Sequence, residues 1–483
     1  MKRTLLVLHC VGLLSISNCY AQTDLLEKAS QFELRGDFQA ASDVLMKALD
    51  DKSLSPAKRQ LFEFDCARLM RIRMDFPLTK RALFEELKKS VKGLTEEEFN
   101  QWQNEGRFDS REIDGRRYFM YASVGNLFYR YPELEARRLP PKNRTAYEMR
   151  RWETCVAIKH AALAEKQPYV LPKLFQVTMN ITAYANTVPA GQDLRAWLPI
   201  PREYPFQNCF KLLSSSPAIK HLEDNRSSIR SAYFERPVVK DRPTEFQLTY
   251  SYRIYGVWFD LQPQKAQAFD TNDVLLVKFT CEAPHVVFTQ KIKNLAQQIA
   301  GNESNPCLKA RKFYDWITEQ VKYSEAIEYS TIRNISDYCC TRRYGDCGQK
   351  ALLFITLCRF GGIPARWQSG WSIFPGANSI HDWAEVYLAP YGWVPVDPDL
   401  GGFAMQYFNT LKPEQRHQIR DFYFGGIDSY RMIANADHSQ NLTPSKLSMR
   451  SDDVDFQRGE LEWGGHNIYF DQYSYKLNVS ELK

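Results

Sequence analysis

Long apolar runs are missing from this sequence. Across 483 residues the mean hydropathy is −0.46, and beyond the N-terminus no apolar stretch approaches the roughly 18 residues that a membrane-spanning helix needs. One-sided charge is missing too. The 63 basic and 57 acidic residues leave a formal charge of +6, too even to imply nucleic acid as a partner. Phosphate-binding G-x-x-x-x-G-K, a G-x-G-x-x-G after a strand and H-E-x-x-H are all absent, so nucleotide and zinc-protease chemistry have no anchor. The cysteines form no paired C-x-x-C clusters, and neither a metal nor another cofactor is expected. With 44 % hydrophobic and 25 % charged residues, widespread disorder, collagen and coiled coil are excluded as well.

What is present begins with an address. Lys2 and Arg3 precede a short apolar core from Leu5 to Leu14, and Cys19-Tyr20-Ala21 offers a small-x-small cleavage site before Gln22. Residues 1–21 therefore read as a secretory signal peptide, which places the mature chain in the periplasm or outside the cell. Cys19 is the candidate if the chain is instead acylated and lipid-anchored. Two of the eleven cysteines, Cys10 and Cys19, fall in this leader. The remainder is odd in number, so at least one thiol stays unpaired if the others pair within the chain.

The length suggests several domains, and the period of the apolar residues changes along the chain. Residues 22–168 read as a helical region, with a helical hairpin broken at Gly36-Asp37 and a small β-turn at Ile113-Asp114-Gly115-Arg116. Residues 170–282 alternate, as at Val177, Met179, Ile181 and Ala183 and again over 246–255, with a further strand-length run from Asp273 to Thr280. That pattern predicts an antiparallel β-sandwich. Residues 283–483 open with helices over Val287–Ala300 and Cys307–Val321. They end in a hairpin, where Glu460–Trp463 and Asn467–Phe470 flank Gly464-Gly465. The fold class is multidomain α+β.

One constellation carries chemistry. Tyr344-Gly345-Asp346-Cys347-Gly348 leads into a helix that stops at Gly361-Gly362, with Asp346 as its N-cap. Cys347 thus starts a helix, where unsatisfied N–H groups and the macrodipole favour a thiolate and offer donors to an oxyanion. Cys358 falls on the buried face. Downstream, His381-Asp382-Trp383-Ala384-Glu385-Val386-Tyr387-Leu388 alternates as a strand, placing His381, Trp383, Glu385 and Tyr387 on one face. After a turn at 389–392 comes Trp393-Val394-Pro395-Val396-Asp397-Pro398. Hairpin register puts Asp397 across from His381 to within a residue or two. A carboxylate there fixes the imidazole tautomer and leaves the other nitrogen for Cys347, the logic of cysteine acyl transfer. Arg366 is expected to pair with a neighbour. Arg431 and Asp437 are candidates to border the cleft.

These residues closely resemble the transglutaminase-like superfamily of papain-like enzymes. The resemblance rests on Tyr-Gly-Asp-Cys at 344–347, Phe-Gly-Gly-Ile-Pro-Ala-Arg at 360–366, His-Asp-Trp-Ala-Glu-Val-Tyr at 381–387 and Gly-Trp-Val-Pro-Val-Asp-Pro at 392–398. It implies a papain-like core with a C-terminal β extension, preceded by a sandwich as in exported bacterial members. Cys347 is then nucleophile, His381 general base and then acid, and Asp397 the residue that orients it. Tyr344, Gly348, Trp371 and Trp383 are candidates to line the substrate site. Two positions depart from the family's pattern. Gly348 stands where crosslinking enzymes carry Trp, and Asp382 stands where Ala is common; neither is expected to touch the three residues. The expected function is cleavage or transfer at amide bonds of a peptide or protein substrate through a thioester, with protease or amidase activity favoured over crosslinking. The alternative is a non-catalytic scaffold that uses the core as a peptide-binding groove.

Overall fold

The computed structural model describes residues 25–141 and 143–482, in two compact units that divide after Pro141. The leader expected at 1–21 lies outside the described residues.

The first unit is helical. Helices over 25–35 and Phe38–Leu49 form a hairpin closed at Gly36, whose φ of +86° favours glycine and whose absent side chain makes room for Glu112. Three further helices, Pro56–Asp75, Lys80–Ser90 and Glu96–Asn104, are N-capped by the side chains of Ser55, Thr79 and Thr95. The expected turn at 113–116 closes a hairpin of Ser110–Ile113 with Arg116–Phe119. Leu83, Leu87, Phe99, Trp102, Phe119 and Leu127 form the core of this unit.

The second unit is built on three larger sheets, beside a short parallel pairing of Lys322–Tyr323 with Tyr344–Gly345. Alternation at 177–183 and 246–255 appears as the long strands Tyr169–Ala183 and Thr244–Trp258, paired antiparallel from Ala183 with Thr244 to Tyr169 with Val257. Their inward side chains meet those of a second sheet around Asp193–Pro199 and Ser231–Pro237, and Val177, Ile181, Leu198, Phe234 and Leu248 fill the space between. The third sheet is antiparallel and four-stranded, in the order Gly392–Val396, Ala377–Leu388, Ala365–Phe374, Arg431–Asn435.

Three expectations are corrected. The sandwich does not end at 282. The C-terminal strand Tyr473–Leu482 pairs along Tyr169–Ala183, and Glu460–Trp463, the first strand of the expected hairpin, pairs with Asp193–Pro199. Tyr473, Leu477 and Leu461 are buried in its core, so the chain's end covers sheet edges rather than extending the 283–483 region. The helical region does not run to 168 as one body. Helix Thr145–Glu165 belongs to the second unit, where Cys155, Ile158 and Ala162 pack on Phe408, Ile419 and Phe422. Finally, Asp273–Thr280 is not a strand. The Asp273 carboxylate caps the Leu275 N–H at 2.9 Å, and the segment coils into helical turns over Val274–Val277 and Lys278–Thr280.

Candidate active site

The nucleophile-bearing helix Cys347–Phe360 starts where Asp346 accepts the Gln349 N–H at 3.1 Å. It is buried from Gly348 to Arg359, Cys358 included, and stops at Gly361-Gly362 with Gly362 at φ +78°. Lys350, fully buried, ties it through a 2.8 Å ion pair to Asp399 on helix Pro398–Tyr407. Asp397 is the N-cap of that helix, its Oδ1 accepting from the Leu400 N–H at 2.9 Å. A turn residue thus becomes a fixed one, because capping holds its side chain.

His381 stands on Ala377–Leu388 opposite Gly370. Ladder pairing with Gly392–Val396 begins only at Ala384, two residues out of the expected register, yet the His381 and Asp397 side chains meet: Nε2 lies 2.8 Å from Asp397 Oδ2. The same oxygen accepts from Arg431 Nη2 at 2.9 Å. Arg431 also bonds Asp428, which takes Arg151 at 3.0 Å and the Tyr423 hydroxyl at 2.9 Å. Burial alone would neutralise Asp397, but the His381 ring and the Arg431 guanidinium outweigh it and hold its carboxyl well below the usual carboxylate range. Arg431, read from its setting as a border of the cleft, therefore lies behind the histidine and anchors its partner. Asp437 pairs with His438 at 3.3 Å, and Arg366 pairs with Glu385 at 2.6 Å as expected of it.

Cys347 is half-buried. Its Sγ donates to Asp382 Oδ2 at 3.5 Å and makes no hydrogen bond to His381. The expectation that Asp382 would not touch the three residues is overturned. So is the expectation of a favoured thiolate: burial, then the carboxyls of Asp382, Asp346 and Asp399, push the Cys347 thiol well up. One donor expected for an oxyanion is also engaged, since the Gly348 N–H donates to Tyr329 Oη at 3.1 Å. Tyr329 in turn donates to Asp346 Oδ1 at 2.7 Å.

The remaining candidates separate. Trp383 is fully buried beneath the Arg431 guanidinium, 4.7 Å from its ring, with Nε1 donating to Gln368 at 2.6 Å. Trp371 is buried in the sandwich core and donates to the Gln457 carbonyl at 3.0 Å. Neither ring presents surface to a substrate; both are packing. Tyr344 is half-buried under Arg342, and Gly348 is buried beside Tyr329 and Asp382. Sequence reasoning missed Gln457, whose Nε2 donates to the His381 carbonyl at 2.9 Å and to Asp382 Oδ1 at 2.6 Å. It sits in the irregular stretch 436–459, where no period marks a residue as near the site. All nine described cysteines are free thiols.

Residues 293–398, which hold Cys347, His381 and Asp397, match the transglutaminase-like superfamily core. The chain is similar to an uncharacterised protein of Haemophilus influenzae, 25 % identical over 170 residues that are 30 % of this chain and 46 % of that one. It is also similar to the uncharacterised YebA of Bacillus subtilis, 25 % identical over 130 residues, 23 % of this chain and 18 % of that one. The chain thus spans under half the length of these curated relatives. Among solved structures, one from Cytophaga hutchinsonii described as "a Putative Cysteine Protease" aligns with a TM-score of 0.44 at 16 % identity, covering 65 % of this chain and 92 % of that one. The periplasmic domain of TgpA from Pseudomonas aeruginosa aligns with a TM-score of 0.24 at 12 % identity, covering 56 % of this chain and 96 % of that one.

Proposed function

Because residues 293–398 carry a transglutaminase-like core, we propose that the chain is an exported, cysteine-dependent enzyme that attacks amide bonds of a peptide or protein. The observation that carries this reading is the 2.8 Å contact of His381 Nε2 with an Asp397 that Arg431 and a helix N-terminus hold ionised. An imidazole tied through Nε2 keeps Nδ1 for the sulfur and is stabilised when it becomes an imidazolium. Cys347 heads the helix that packs against the histidine strand. Its proton passes to His381, and the sulfur adds to the amide carbonyl to form a tetrahedral oxyanion. His381 then returns the proton to the leaving amine, and water or a second amine resolves the thioester.

Hydrolysis is favoured over crosslinking because Gly348 leaves no indole beside the nucleophile, and a Cβ there would already lie 2.3 Å from Tyr329 Oη. The test is a peptide-mixture digest read by mass spectrometry, with and without an added primary amine. Cleaved products are expected from the wild type and at least 1000-fold fewer, by order of magnitude, from Cys347→Ala. Full cleavage by Cys347→Ala removes the proposal, and amine incorporation without cleavage reverses the preference for hydrolysis.

A further inference from the structure

The two positions at which the sequence departs from its family pattern are in contact. A Cβ on Gly348 would lie 2.7 Å from Asp382 Oδ2, so the Asp382 carboxyl occupies space that only glycine leaves free. That carboxyl is 2 % exposed and pinned at both ends: Oδ1 accepts from Gln457 at 2.6 Å, and Oδ2 faces the Cys347 sulfur at 3.5 Å. Alternation along the strand sends Asp382 to the face opposite His381. The sulfur therefore sits against an acid that the acyl-transfer scheme does not use.

We propose that Asp382 is a positioning residue that keeps Cys347 a resting thiol, and that the sulfur ionises only when Asp382 carries a proton or is displaced. This rests on the reading of Cys347 as nucleophile and adds regulation to it. In the resting arrangement the S–H donates to an ionised Asp382, and a thiolate there would face a carboxylate at close range. When Asp382 takes a proton from solvent, that repulsion vanishes. The O–H can then donate to the sulfur while the thiol proton leaves to solvent, so that one proton enters the site and one leaves it.

The surroundings resist the charge on Asp382. Asp346 and Asp399 face it from the ends of two helices, with Lys350 paired to Asp399. From the stretch 436–459 Asp452 adds negative charge, and Asp455 faces it with a carboxyl that burial and Asp452 push well up. Arg458 neutralises Asp452 at 3.0 Å and Glu328 at 2.9 Å. Tyr329 contributes a neutral hydroxyl, and the imidazole of His381 and the Asp397–Arg431 pair lie across the strand. Burial first, then Asp346, hold the Asp382 carboxyl well above the usual range. The opposing pull is the Asp382 backbone N–H, which favours the thiolate.

The test is the pH dependence of Cys347 alkylation by iodoacetamide, read by mass spectrometry on the full-length protein from pH 5 to 9, with buried Cys358 as internal control. Asp382→Asn and Asp382→Ala are expected to raise the Cys347 rate at pH 7 by about tenfold or more, the effect of lowering a thiol pKa by one unit. The gain is expected to persist in a His381→Ala background. An unchanged or slower rate in folded variants overturns the proposal. Should both variants fail to fold, the wild-type profile decides. A single-group titration at the ordinary thiol value of about 8.5 overturns it, and a profile displaced upward with a second, acidic inflection supports it. Faster alkylation without amide cleavage by any form preserves the switch and removes the enzyme. Cleavage by the wild type with no Asp382 effect does the reverse.

Discussion

Asp397 is fully buried and Cys347 half-buried, and their protons are pulled in opposite directions. Asp397 faces His381 and Arg431, so its charge is favoured; Cys347 faces Asp382, Asp346 and Asp399, so its charge is resisted. Asp346 belongs to the second group. Burial, the larger effect, outweighs its bonds from Tyr329 and Gln349 and raises its carboxyl from 3.8 to about 6. A carboxyl raised in the folded state adds stability that is complete below about 4 and is lost as pH climbs through 6. Asn at this position keeps a cap oxygen without a charge. Asp346→Asn is therefore expected to gain on the wild type by about 3 kcal/mol between pH 4 and pH 7. Denaturant unfolding at several pH values measures this, and a difference that stays flat with pH contradicts it. At this scale the helix start at Cys347 and the closeness of His381 to Asp397 were legible, because each lies in a local motif whose helix start or strand period can be read. Gln457, Tyr329 and the anchoring role of Arg431 were not. They depend on contacts across 76, 19 and 34 residues of chain, which no local pattern encodes.

Among elements, the histidine strand is held by its neighbour Ala365–Phe374, which also pairs with Arg431–Asn435. The register between those last two shifts at Ser369–Gly370, and there the backbones approach so closely that a Cβ on Gly370 would lie 1.8 Å from the Met432 carbonyl oxygen. Backbone cannot retreat as a side-chain tip can. Gly370→Ala is expected to part the strands that carry His381 and Arg431, with a loss of about 3 kcal/mol or more. The measurement is urea unfolding together with the rate of Cys347 alkylation. Unchanged stability shows that the sheet absorbs the methyl group. The periodic strands at 169–183 and 244–258 were readable because one face of each is buried, whereas 273–280 misled: its apolar run looked like a strand, but Asp273 capped a helical turn instead. Periodicity reports burial, and a single capping residue can override it in so short a segment.

Over the whole molecule the boundary read at 168 and the division after Pro141 make different demands. The change from helical to strand period lies near 169, and nothing local shows that helix Thr145–Glu165 shares a core with residues 404–423. Its Arg151 is buried against Asp428, the aspartate that also binds Arg431, which in turn binds Asp397. A buried carboxylate stripped of one arginine costs about 3–5 kcal/mol, and helix removal also uncovers Phe408, Ile419 and Phe422. A chain starting at Asn143 contains the three larger sheets and each residue argued to set the site. It is expected to unfold cooperatively and to label at Cys347 as the full-length protein does. A chain starting at Tyr169 is expected to be less stable by at least that amount and to lose the difference in labelling rate between Cys347 and Cys358. Paired thermal unfolding and thiol labelling of the two truncations decide the matter. If the shorter chain equals the longer one, the helix is dispensable and the path from Arg151 to His381 does not support the site.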